Sequence, residues 1–198
     1  MMVIGVTGSI AMGKSQATHY LGSLGFPVFD SDAEVHMLYD SPHGADLIRP
    51  LVPQAIVNGK VDRAKLSACV LADPALLSAL ETIIHSEIKT RREMFLDNAR
   101  NSKVKAAILD IPLLFETGAE ADMDKVIVVS TTAQIQRQRA LSRPAMTEEK
   151  LALILARQMP DAEKRKRADA VIDASSTVEH MQKSLHKLCV EWGLIADA

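Results

Sequence analysis

The stretch GVTGSIAMGKSQ, Gly5–Gln16, carries the spacing G-x-x-x-x-G-K-S and lies near the start of a chain of 198 residues. The run VIGVT (Val3–Thr7) is short and apolar, as expected of a buried strand. The run KSQATHYLGSLG (Lys14–Gly25) has apolar residues at helical spacing and ends in glycine. A strand, a glycine-containing loop and a helix in this order are the context in which this spacing binds phosphate. The stretch therefore predicts a phosphate-binding loop, or P-loop, for a nucleoside triphosphate.

The residue types of this loop predict how it holds the nucleotide. Glycine allows a backbone path on which several N–H groups point at phosphate oxygens, and the following helix offers them its positive end. We expect Lys14 to reach the β- and γ-phosphates and the Ser15 hydroxyl to ligate Mg²⁺. The predicted nucleotide-binding residues of the loop are Gly8, Ala11, Met12, Gly13, Lys14, Ser15 and Gln16.

Four more short apolar runs predict further strands. All are continuously apolar rather than alternating, which is typical of a parallel sheet covered on both faces. Helical patterns lie between them, so the expected class is α/β: a P-loop NTPase with a five-stranded parallel sheet and helices on both faces. The additional runs are Pro27–Asp30, Ala106–Pro112, Lys125–Ser130 and Ala170–Ala174.

Two stretches interrupt the alternation of strands and helices and predict inserts. Residues 32–103 show only helical patterns and turn signals, and we expect them to form a helical acceptor-binding insert. Residues 137–167 are rich in Arg, Lys and Glu, with helix starts at Thr147 and Asp161, and we expect them to form a lid. The nucleotide-binding core then comprises residues 1–31, 104–136 and 168–198.

Composition and charge argue against several other classes of protein. A formal net charge of −2 disfavours a non-specific nucleic-acid binder, and no apolar run reaches the length of a membrane span. The N-terminus lacks the pattern of a signal peptide. Cys69 and Cys189 stand among apolar helical neighbours without metal-ligand spacing. We therefore expect a cytoplasmic protein with reduced, buried thiols.

A P-loop alone does not choose among kinases, GTPases, transporter ATPases and motors. The guanine-reading N-K-x-D and the L-S-G-G-Q of transporter ATPases are both absent from the sequence. A short chain with two inserts, one of them rich in arginine, favours a small-molecule kinase. Such an enzyme needs an acceptor-binding lobe and a lid that excludes water from the transferred phosphoryl group.

Several longer motifs follow the P-loop in a fixed order. They are FPVFDSDAEVH (Phe26–His36), NGKVDRAKL (Asn58–Leu66), LETIIHSEI (Leu80–Ile88), DIPLLFE (Asp110–Glu116), the set Gln136, Arg139 and Arg143, then Gln158, Lys164-x-x-x-Ala168-Asp169 and VID (Val171–Asp173). In this order they resemble the dephospho-coenzyme A kinase family over essentially the full chain. The resemblance implies transfer of the γ-phosphoryl of ATP to the ribose 3′-hydroxyl of dephospho-coenzyme A, with Mg²⁺ as cofactor.

Carboxylates after two of the predicted strands are candidates for the chemistry. Asp32 lies just past the second strand, at the sheet edge where ligands bind, and we expect it to accept the proton of the 3′-hydroxyl. The alternative role for Asp32 is that of a helix N-cap, and Asp30 is open as sheet-edge partner or cap. Asp110 ends the third strand, where we expect it to hold a magnesium-bound water unless it is only a turn residue.

Two arginines of the predicted lid match phosphate chemistry. Arg139 and Arg143 lie one helical turn apart, so both face the same side, where planar guanidinium groups suit phosphate oxygens. The alternative is a solvated charged face. The predicted catalytic residues are Lys14, Asp32 and Arg139.

The resemblance also implies contacts with the acceptor. It places His85 against the acceptor and lets Arg63 and Lys89 meet its diphosphate. Pro112, Leu113 and Leu114 are expected to build an apolar wall, while Glu116 is open between helix capping and a substrate contact. We interpret the run KRKR, Lys164–Arg167, as a basic helix end beside the lid rather than a localisation patch, with Lys164 as its participating residue.

The chain departs from the family's usual pattern at the P-loop and after the last strand. Ala11 and Met12 fill a position that is commonly richer in glycine, which we expect to be tolerated if φ stays negative. Gln16 stands where threonine is common, so we expect only its backbone N–H to meet the α-phosphate. Ala174 and Ser176 stand where N-x-G usually follows V-I-D, which leaves the adenine contact of that loop open.

Two other functions stay open on the sequence. One is another small kinase, for a nucleoside monophosphate or another small molecule. The other is a nucleotide-gated regulatory P-loop ATPase whose helical insert binds a protein. The expected partners are ATP and dephospho-coenzyme A, without nucleic acid or membrane, and the expected state is a monomer or weak homo-oligomer.

Overall fold

The computed structural model describes residues 1–196, so Asp197 and Ala198 of the predicted core segment 168–198 lie outside the described residues. In chain order the elements are β1 (Met2–Thr7), α1 (Lys14–Ser23), β2 (Val28–Asp30), α2 (Ser31–Tyr39), α3 (Pro42–Ile48), β3 (Ile56–Val57), β4 (Lys60–Val61), α4 (Arg63–Ala72), α5 (Pro74–Asn101), β5 (Ala106–Asp110), β6 (Lys125–Ser130), α6 (Ala133–Leu141), α7 (Glu148–Ala156), α8 (Asp161–Arg167), β7 (Ala170–Asp173) and α9 (Val178–Glu191). Short 3₁₀ turns occur at Pro53–Ala55 and Ala119–Asp122.

Five of the strands form one sheet in the order β2-β5-β1-β6-β7. The pairs β1–β5, β1–β6 and β6–β7 run parallel. The expected five-stranded parallel sheet with intervening helices is confirmed. The strand that leads into the P-loop, β1, lies between β5 and β6. Because parallel strands end at the same edge of a sheet, the loops after β1, β5 and β6 are neighbours.

The residues that carry most of this sheet, Met1–Phe29 and those from Ala99 onward, form one compact unit. Its main core is aliphatic, in keeping with an aromatic content of 4%. Ile4 and Ile127 of the sheet pack in one cluster with Leu21 of α1 and Leu185 of α9. Burial of each such side chain contributes about 1.5–3 kcal/mol to folding, which favours an interior position for the continuously apolar runs.

Residues Asp30–Asn98 form a second compact unit. Leu38, Ile48, Leu80 and Ile84 are buried in its core. Leu80 and Ile84 are four residues apart on α5, so they share one face of the helix and confirm its amphipathic pattern. Although α5 has 28 residues, no helix of residues 1–196 is both long and apolar enough to cross a membrane.

The second unit also contains a small hairpin, which corrects the expectation of helices and turns alone. The strands β3 and β4 pair antiparallel, with Ile56 opposite Val61 and Val57 opposite Lys60. Asn58 and Gly59 connect them with φ values of 50° and 73°, which a type I′ turn requires and which Asn-Gly favours. Strands of two residues are too short to show an alternating pattern, so only the turn was visible in the sequence.

Both helix starts predicted for residues 137–167 are confirmed. The hydroxyl of Thr147 accepts a hydrogen bond from the N–H of Lys150 at 3.3 Å and caps α7. Helix α8 begins at Asp161, directly after Pro160. Side-chain caps of this kind satisfy N–H groups that the first helical turn leaves without an intrahelical partner.

Candidate active site

The two glycines of the P-loop are required by different contacts. A Cβ atom on Gly8 would lie 2.5 Å from the carbonyl oxygen of Val129, so the loop passes against β6 too closely for any side chain. Gly13 has a φ of 97°, in the region that favours glycine, and a Cβ there would lie 3.1 Å from the Cβ of Ala174. The loop is therefore packed between β6 and the segment that follows β7.

Ala11 does not meet the condition, a negative φ, under which its side chain was expected to be tolerated. Its φ is 61°, in the left-handed region, where a non-glycine residue is disfavoured by about 1–2 kcal/mol. The methyl group is buried and packs with Ala140 of α6 and Leu151 of α7. Contacts with the two helices of the predicted lid thus accompany the left-handed conformation, which a local reading of the loop sequence missed.

Lys14 and Asp110 form an ion pair at the carboxyl end of the sheet strands. Lys14 is the first residue of α1 and Asp110 the last residue of β5, the neighbour of β1. The ammonium group contacts Oδ1 of Asp110. Oδ2 accepts a hydrogen bond of 3.1 Å from the hydroxyl of Thr18, one turn further along α1. Sequence reasoning paired neither Lys14 nor Thr18 with Asp110, because that pairing depends on the strand order.

The other predicted nucleotide-binding residues of the loop differ in exposure. Ser15 and Gln16 are exposed in the first turn of α1, where N–H groups have no intrahelical partner. Met12 is buried, and its sulfur accepts the N–H of Thr131 at 3.1 Å. The N–H of Met12 itself donates to the carbonyl of Ser9 at 3.2 Å. Met12 therefore supports the loop from its buried side, while Ser15 and Gln16 face solvent.

Two glutamines hold the backbone of the P-loop at Ile10. The amide of Gln136 donates to the carbonyl of Ile10 at 2.9 Å. The side-chain oxygen Oε1 of Gln158 accepts a hydrogen bond of 3.0 Å from the backbone N–H of Ile10. The sequence presented both glutamines only as parts of a motif. That both bind the backbone of the same loop residue is visible only in the folded structure.

The two predicted lid arginines occupy different environments. Arg139 on α6 is half-buried, and its guanidinium donates to the carbonyl of Ala174 at 2.9 Å. Arg143 lies beyond the end of α6 and is exposed. Because the acceptor of the Arg139 bond is the backbone carbonyl, this bond does not depend on which side chain stands at position 174, where the sequence departs from the family's usual pattern. Arg139 thus connects the P-loop side of the sheet with the segment after β7.

The loop after β5 was predicted to be an apolar wall, and its side chains divide between core and surface. Leu114 is fully buried with Phe115, Val126 and Val128. Leu113 is 40% exposed. Leu114 therefore anchors the loop in the core, whereas Leu113 is the apolar side chain available to a ligand.

Two polar groups hold Pro112, at the start of that loop, through its backbone. Its carbonyl oxygen accepts a hydrogen bond of 3.1 Å from the hydroxyl of Thr7 at the end of β1. The ammonium group of Lys164 donates to the same carbonyl at 3.4 Å. The position of Pro112 is therefore set from the P-loop strand and from α8.

Glu116 forms an ion pair with the fully buried Lys164. Its Oε1 lies 2.9 Å from the ammonium nitrogen and also accepts the N–H of Met159 at 2.6 Å. Burial raises the pKa of this carboxyl, but the bonds from Lys164 and Met159 outweigh burial and hold the pKa below its ordinary value. Oε2 is buried without a hydrogen-bond partner among residues 1–196. The carboxylate is thus held ionised, and its second oxygen has no hydrogen-bond donor within residues 1–196.

In the second unit, Asp30 rather than Asp32 is the helix cap. Oδ1 of Asp30 accepts the N–H of Ala33 at 3.0 Å, which makes Asp30 the N-cap of α2. Asp32 lies in the first turn of that helix and is exposed. The alternative role of Asp32 as the cap is therefore wrong, and its carboxylate is not used in capping.

A pocket of about 280 Å³ in the second unit brings two predicted acceptor residues together. Arg63 at the start of α4 and His85 on α5 line it, with Tyr39 and apolar side chains such as Leu66 and Ile84. Burial raises the pKa of Tyr39, and the charge of Arg63 acts in the opposite direction. Lys89 is exposed on α5, four residues after His85, and is not among the lining residues.

The donor set beside the P-loop fits a hard cation that keeps most of its own ligands. Mg²⁺ prefers oxygen ligands and commonly binds through one or two protein groups plus phosphates and water. Ser15 supplies a hydroxyl and Asp110 a carboxylate at the carboxyl end of the sheet. Within residues 1–196 no group of three or more His, Cys, Asp or Glu forms a metal cage. The arrangement is compatible with a nucleotide-bound magnesium.

Comparison with known proteins agrees with this geometry. A family model described as dephospho-CoA kinase matches residues 2–180. A dephospho-CoA kinase of Nitrobacter winogradskyi is 49% identical over 188 residues, covering 95% of this chain and 94% of that protein. The dephospho-CoA kinase of Agrobacterium fabrum is 49% identical over 193 residues, covering 98% and 99%.

A solved structure leads to the same family. The dephospho-CoA kinase from Campylobacter jejuni is 26% identical and matches with a TM-score of 0.73, covering 98% of each chain. Because the family model spans most of the sequence and relatives with nearly half of their residues identical span almost all of it, the chain belongs to the dephospho-CoA kinase family.

Proposed function

We propose that this chain transfers the γ-phosphoryl of ATP to the ribose 3′-hydroxyl of dephospho-coenzyme A and so forms coenzyme A. The observation that carries the proposal is the Lys14–Asp110–Thr18 arrangement at the P-loop, in a chain of the dephospho-CoA kinase family. A P-loop lysine and a carboxylate at the end of the adjacent strand are the parts that phosphoryl transfer needs.

Electrostatic stabilisation of the transferred group is assigned to cationic residues. Lys14 opposes the charge of the β- and γ-phosphates, and the N-terminus of α1 adds its partial positive charge. Arg139 and Arg143 bind phosphate oxygens once both substrates are present. The remaining P-loop residues, Gly8, Ala11, Met12, Gly13, Ser15 and Gln16, shape and line the nucleotide site.

Magnesium would be held by the Ser15 hydroxyl and, through water, by Asp110. When bound, it supplies positive charge to the phosphate oxygens as negative charge shifts during transfer. The hydroxyl of Thr18 orients the Asp110 carboxylate for this contact, as outer-shell partners of metal ligands commonly do.

Asp32 is proposed as the base that accepts the proton of the 3′-hydroxyl. Its carboxylate is exposed, and the capping role at the start of α2 belongs to Asp30. An exposed carboxylate in the first helical turn after β2, which does not cap that helix, is available to orient the hydroxyl in line with the γ-phosphate.

The acceptor is assigned to the pocket of the second unit and to the loop after β5. Arg63 and His85 line one pocket with apolar side chains, which suits an acceptor that joins a diphosphate to a long, partly apolar arm. Lys89 adds a further positive charge near the diphosphate. In the loop after β5, Leu113 is assigned as the apolar contact, which Pro112 and the buried Leu114 support from behind. Glu116, whose side chain is 16% exposed, is assigned a polar contact with the acceptor.

The division of labour along the chain follows from these assignments. We propose that residues 1–31, 104–136 and 168–198 bind the nucleotide, 32–103 the acceptor, and that 137–167 close as a lid. A cytoplasmic location is proposed because Cys189, which is buried as expected, and Cys69, which is only partly buried, are free thiols, which persist in reducing compartments. The partners are ATP and dephospho-coenzyme A, without nucleic acid or membrane, and the enzyme acts as a monomer or weak homo-oligomer.

A panel of acceptors tests the proposal. ATP consumption is measured with dephospho-coenzyme A, with nucleoside monophosphates, with small hydroxylated metabolites and without acceptor, and Lys14→Ala serves as the inactive control. We expect strong stimulation by dephospho-coenzyme A alone. Stimulation by a nucleoside monophosphate in its place would identify another kinase, and ATP consumption indifferent to every acceptor would indicate a regulatory ATPase.

A further inference from the structure

A short segment at the end of the predicted lid touches the loops that follow three neighbouring strands. Gln158 accepts the N–H of Ile10 in the P-loop after β1 at 3.0 Å. Asp161 accepts the hydroxyl of Ser130, the last residue of β6, at 2.7 Å. Lys164 reaches Glu116, after β5, at 2.9 Å. Since β1 lies between β5 and β6, this segment, Gln158–Lys164, spans the carboxyl ends of the three central strands.

Lys164 differs from the basic residues that surround it in sequence. Its side chain is 0% exposed, whereas Arg165, Lys166 and Arg167 are exposed. Lysine is almost never fully buried unless it is paired, because removing an ammonium ion from water is very unfavourable. Lys164 meets this requirement with the carboxylate of Glu116 and the carbonyl of Pro112.

The contacts of Lys164 converge on the loop from Pro112 to Glu116. The Pro112 carbonyl also receives the hydroxyl of Thr7 at 3.1 Å, from the last residue of β1 before the P-loop. The two ends of the loop are therefore held by one ammonium group, and its first residue is additionally tied to the strand of the P-loop. A buried ion pair is seldom more stabilising than well-packed apolar side chains. Directional bonds, in contrast, fix the position of a loop.

We propose that Lys164 is a positioning residue: its ammonium group fixes the loop Pro112–Glu116 relative to the P-loop, so that the acceptor meets the γ-phosphate in reactive alignment. This inference rests on the proposed function, since that loop is assigned to the acceptor. Lys164 acts through Pro112 and Glu116 and need not touch a substrate. A misplacement of about 1 Å at a remote support can lower a rate by about 100-fold.

Three variants and a control test the inference. Lys164→Met keeps the apolar stem and removes the ammonium group but leaves Glu116 charged, with its side chain only 16% exposed. Lys164→Met/Glu116→Gln also removes that charge. Glu116→Gln alone keeps an oxygen that can accept from Lys164. The matched control is Lys166→Met, since Lys166 lies on the same helix, is exposed and pairs at the surface with Glu163.

Steady-state kinetics and thermal midpoints are measured for each protein, below the melting range of the least stable one. We expect Lys164→Met to lower the thermal midpoint and the double variant to recover much of it. Both should lose about ten- to 100-fold in kcat/KM for dephospho-coenzyme A, with the KM for ATP nearly unchanged. Glu116→Gln should lose less, and Lys166→Met should match the wild type.

Recovery of the wild-type kcat/KM together with the thermal midpoint in the double variant would overturn the inference, because Lys164 would then serve stability alone. A rise of the KM for ATP in Lys164→Met as large as its loss in kcat/KM for dephospho-coenzyme A would overturn the inference as well. Failure of the proposed function is distinguishable, since the wild-type protein would then show no phosphoryl transfer to dephospho-coenzyme A.

Discussion

Lys14 and Asp110 form an ion pair in which the carboxylate side chain is only 3% exposed. The pair joins the first turn of α1 to the end of β5, so the lysine of the P-loop is already held at the edge of the sheet before a phosphate is bound. In the proposed mechanism, a nucleotide competes with Asp110 for the ammonium group. This relationship makes the two residues partners in one site, although they lie far apart in sequence.

Replacement of Lys14 by alanine tests the P-loop mechanism. Removing the charge that opposes the γ-phosphate should lower kcat by at least about 100-fold. Circular dichroism checks the fold, which we expect to survive with a lower thermal midpoint, because the Asp110 carboxylate, only 3% exposed, loses its ammonium partner. A correctly folded Lys14→Ala protein with near-normal turnover would rule the mechanism out.

Thr18 offers a subtler test, because it acts on Asp110 and not on the nucleotide. Thr18→Val keeps the shape of the side chain and removes the hydroxyl that donates to Oδ2 of Asp110. We expect a ten- to 100-fold loss of activity, as is typical when an outer-shell partner is removed, and a higher Mg²⁺ concentration for half-maximal rate. Thr18→Ser keeps the hydroxyl and should retain most of the activity. Equal behaviour of the two variants would argue against this role.

Variants of Asp32 and Asp30 distinguish a catalytic base from a helix cap. Asparagine caps helices as well as aspartate, so Asp30→Asn should change stability and turnover little. Asp32→Asn keeps the shape but removes the base, and should lower kcat by about 10²–10⁴-fold while the KM for ATP stays nearly unchanged. A silent Asp32→Asn beside a crippled Asp30→Asn would move the base to Asp30. Two mild effects would mean that positioning and charge, without a carboxylate base, carry the reaction.

Glu116 predicts a component of stability that depends on pH. Burial raises its pKa, yet the bonds from Lys164 and Met159 hold the pKa below its ordinary value. The stability from this depression is fully present above the ordinary glutamate pKa of about 4.3 and is lost as pH falls through the lower pKa of the folded state. Urea unfolding at stepwise lower pH should show a shallower acid loss for Glu116→Gln than for the wild type. Parallel curves would contradict the assignment.

Patterns that act along the chain were visible in the sequence, and contacts between distant residues were not. Continuously apolar runs predicted the five strands of the main sheet because burial on both faces leaves that signature in the sequence. The order of those strands leaves no local signal. The pairing of Lys14 with Asp110 therefore became visible only once β5 was seen beside β1.

Lys164 and Ala11 show the same limit at single residues. The motif resemblance singled out Lys164 within a run of four basic residues, but nothing local predicted that it is fully buried, because its partner Glu116 is distant in sequence. Ala11 adopts a φ of 61° among contacts from two distant helices. The hairpin of β3 and β4 is a milder case, since its Asn-Gly turn was visible but its two-residue strands were not.

The most direct test follows the transferred group itself. ATP carrying ¹⁸O in its γ-phosphoryl group is incubated with the protein, Mg²⁺ and dephospho-coenzyme A, and the product is analysed by mass spectrometry and ³¹P NMR. We expect one labelled phosphoryl group per product molecule, bonded to the ribose 3′-oxygen. Label found only in free phosphate, or on another oxygen of the acceptor, would contradict it.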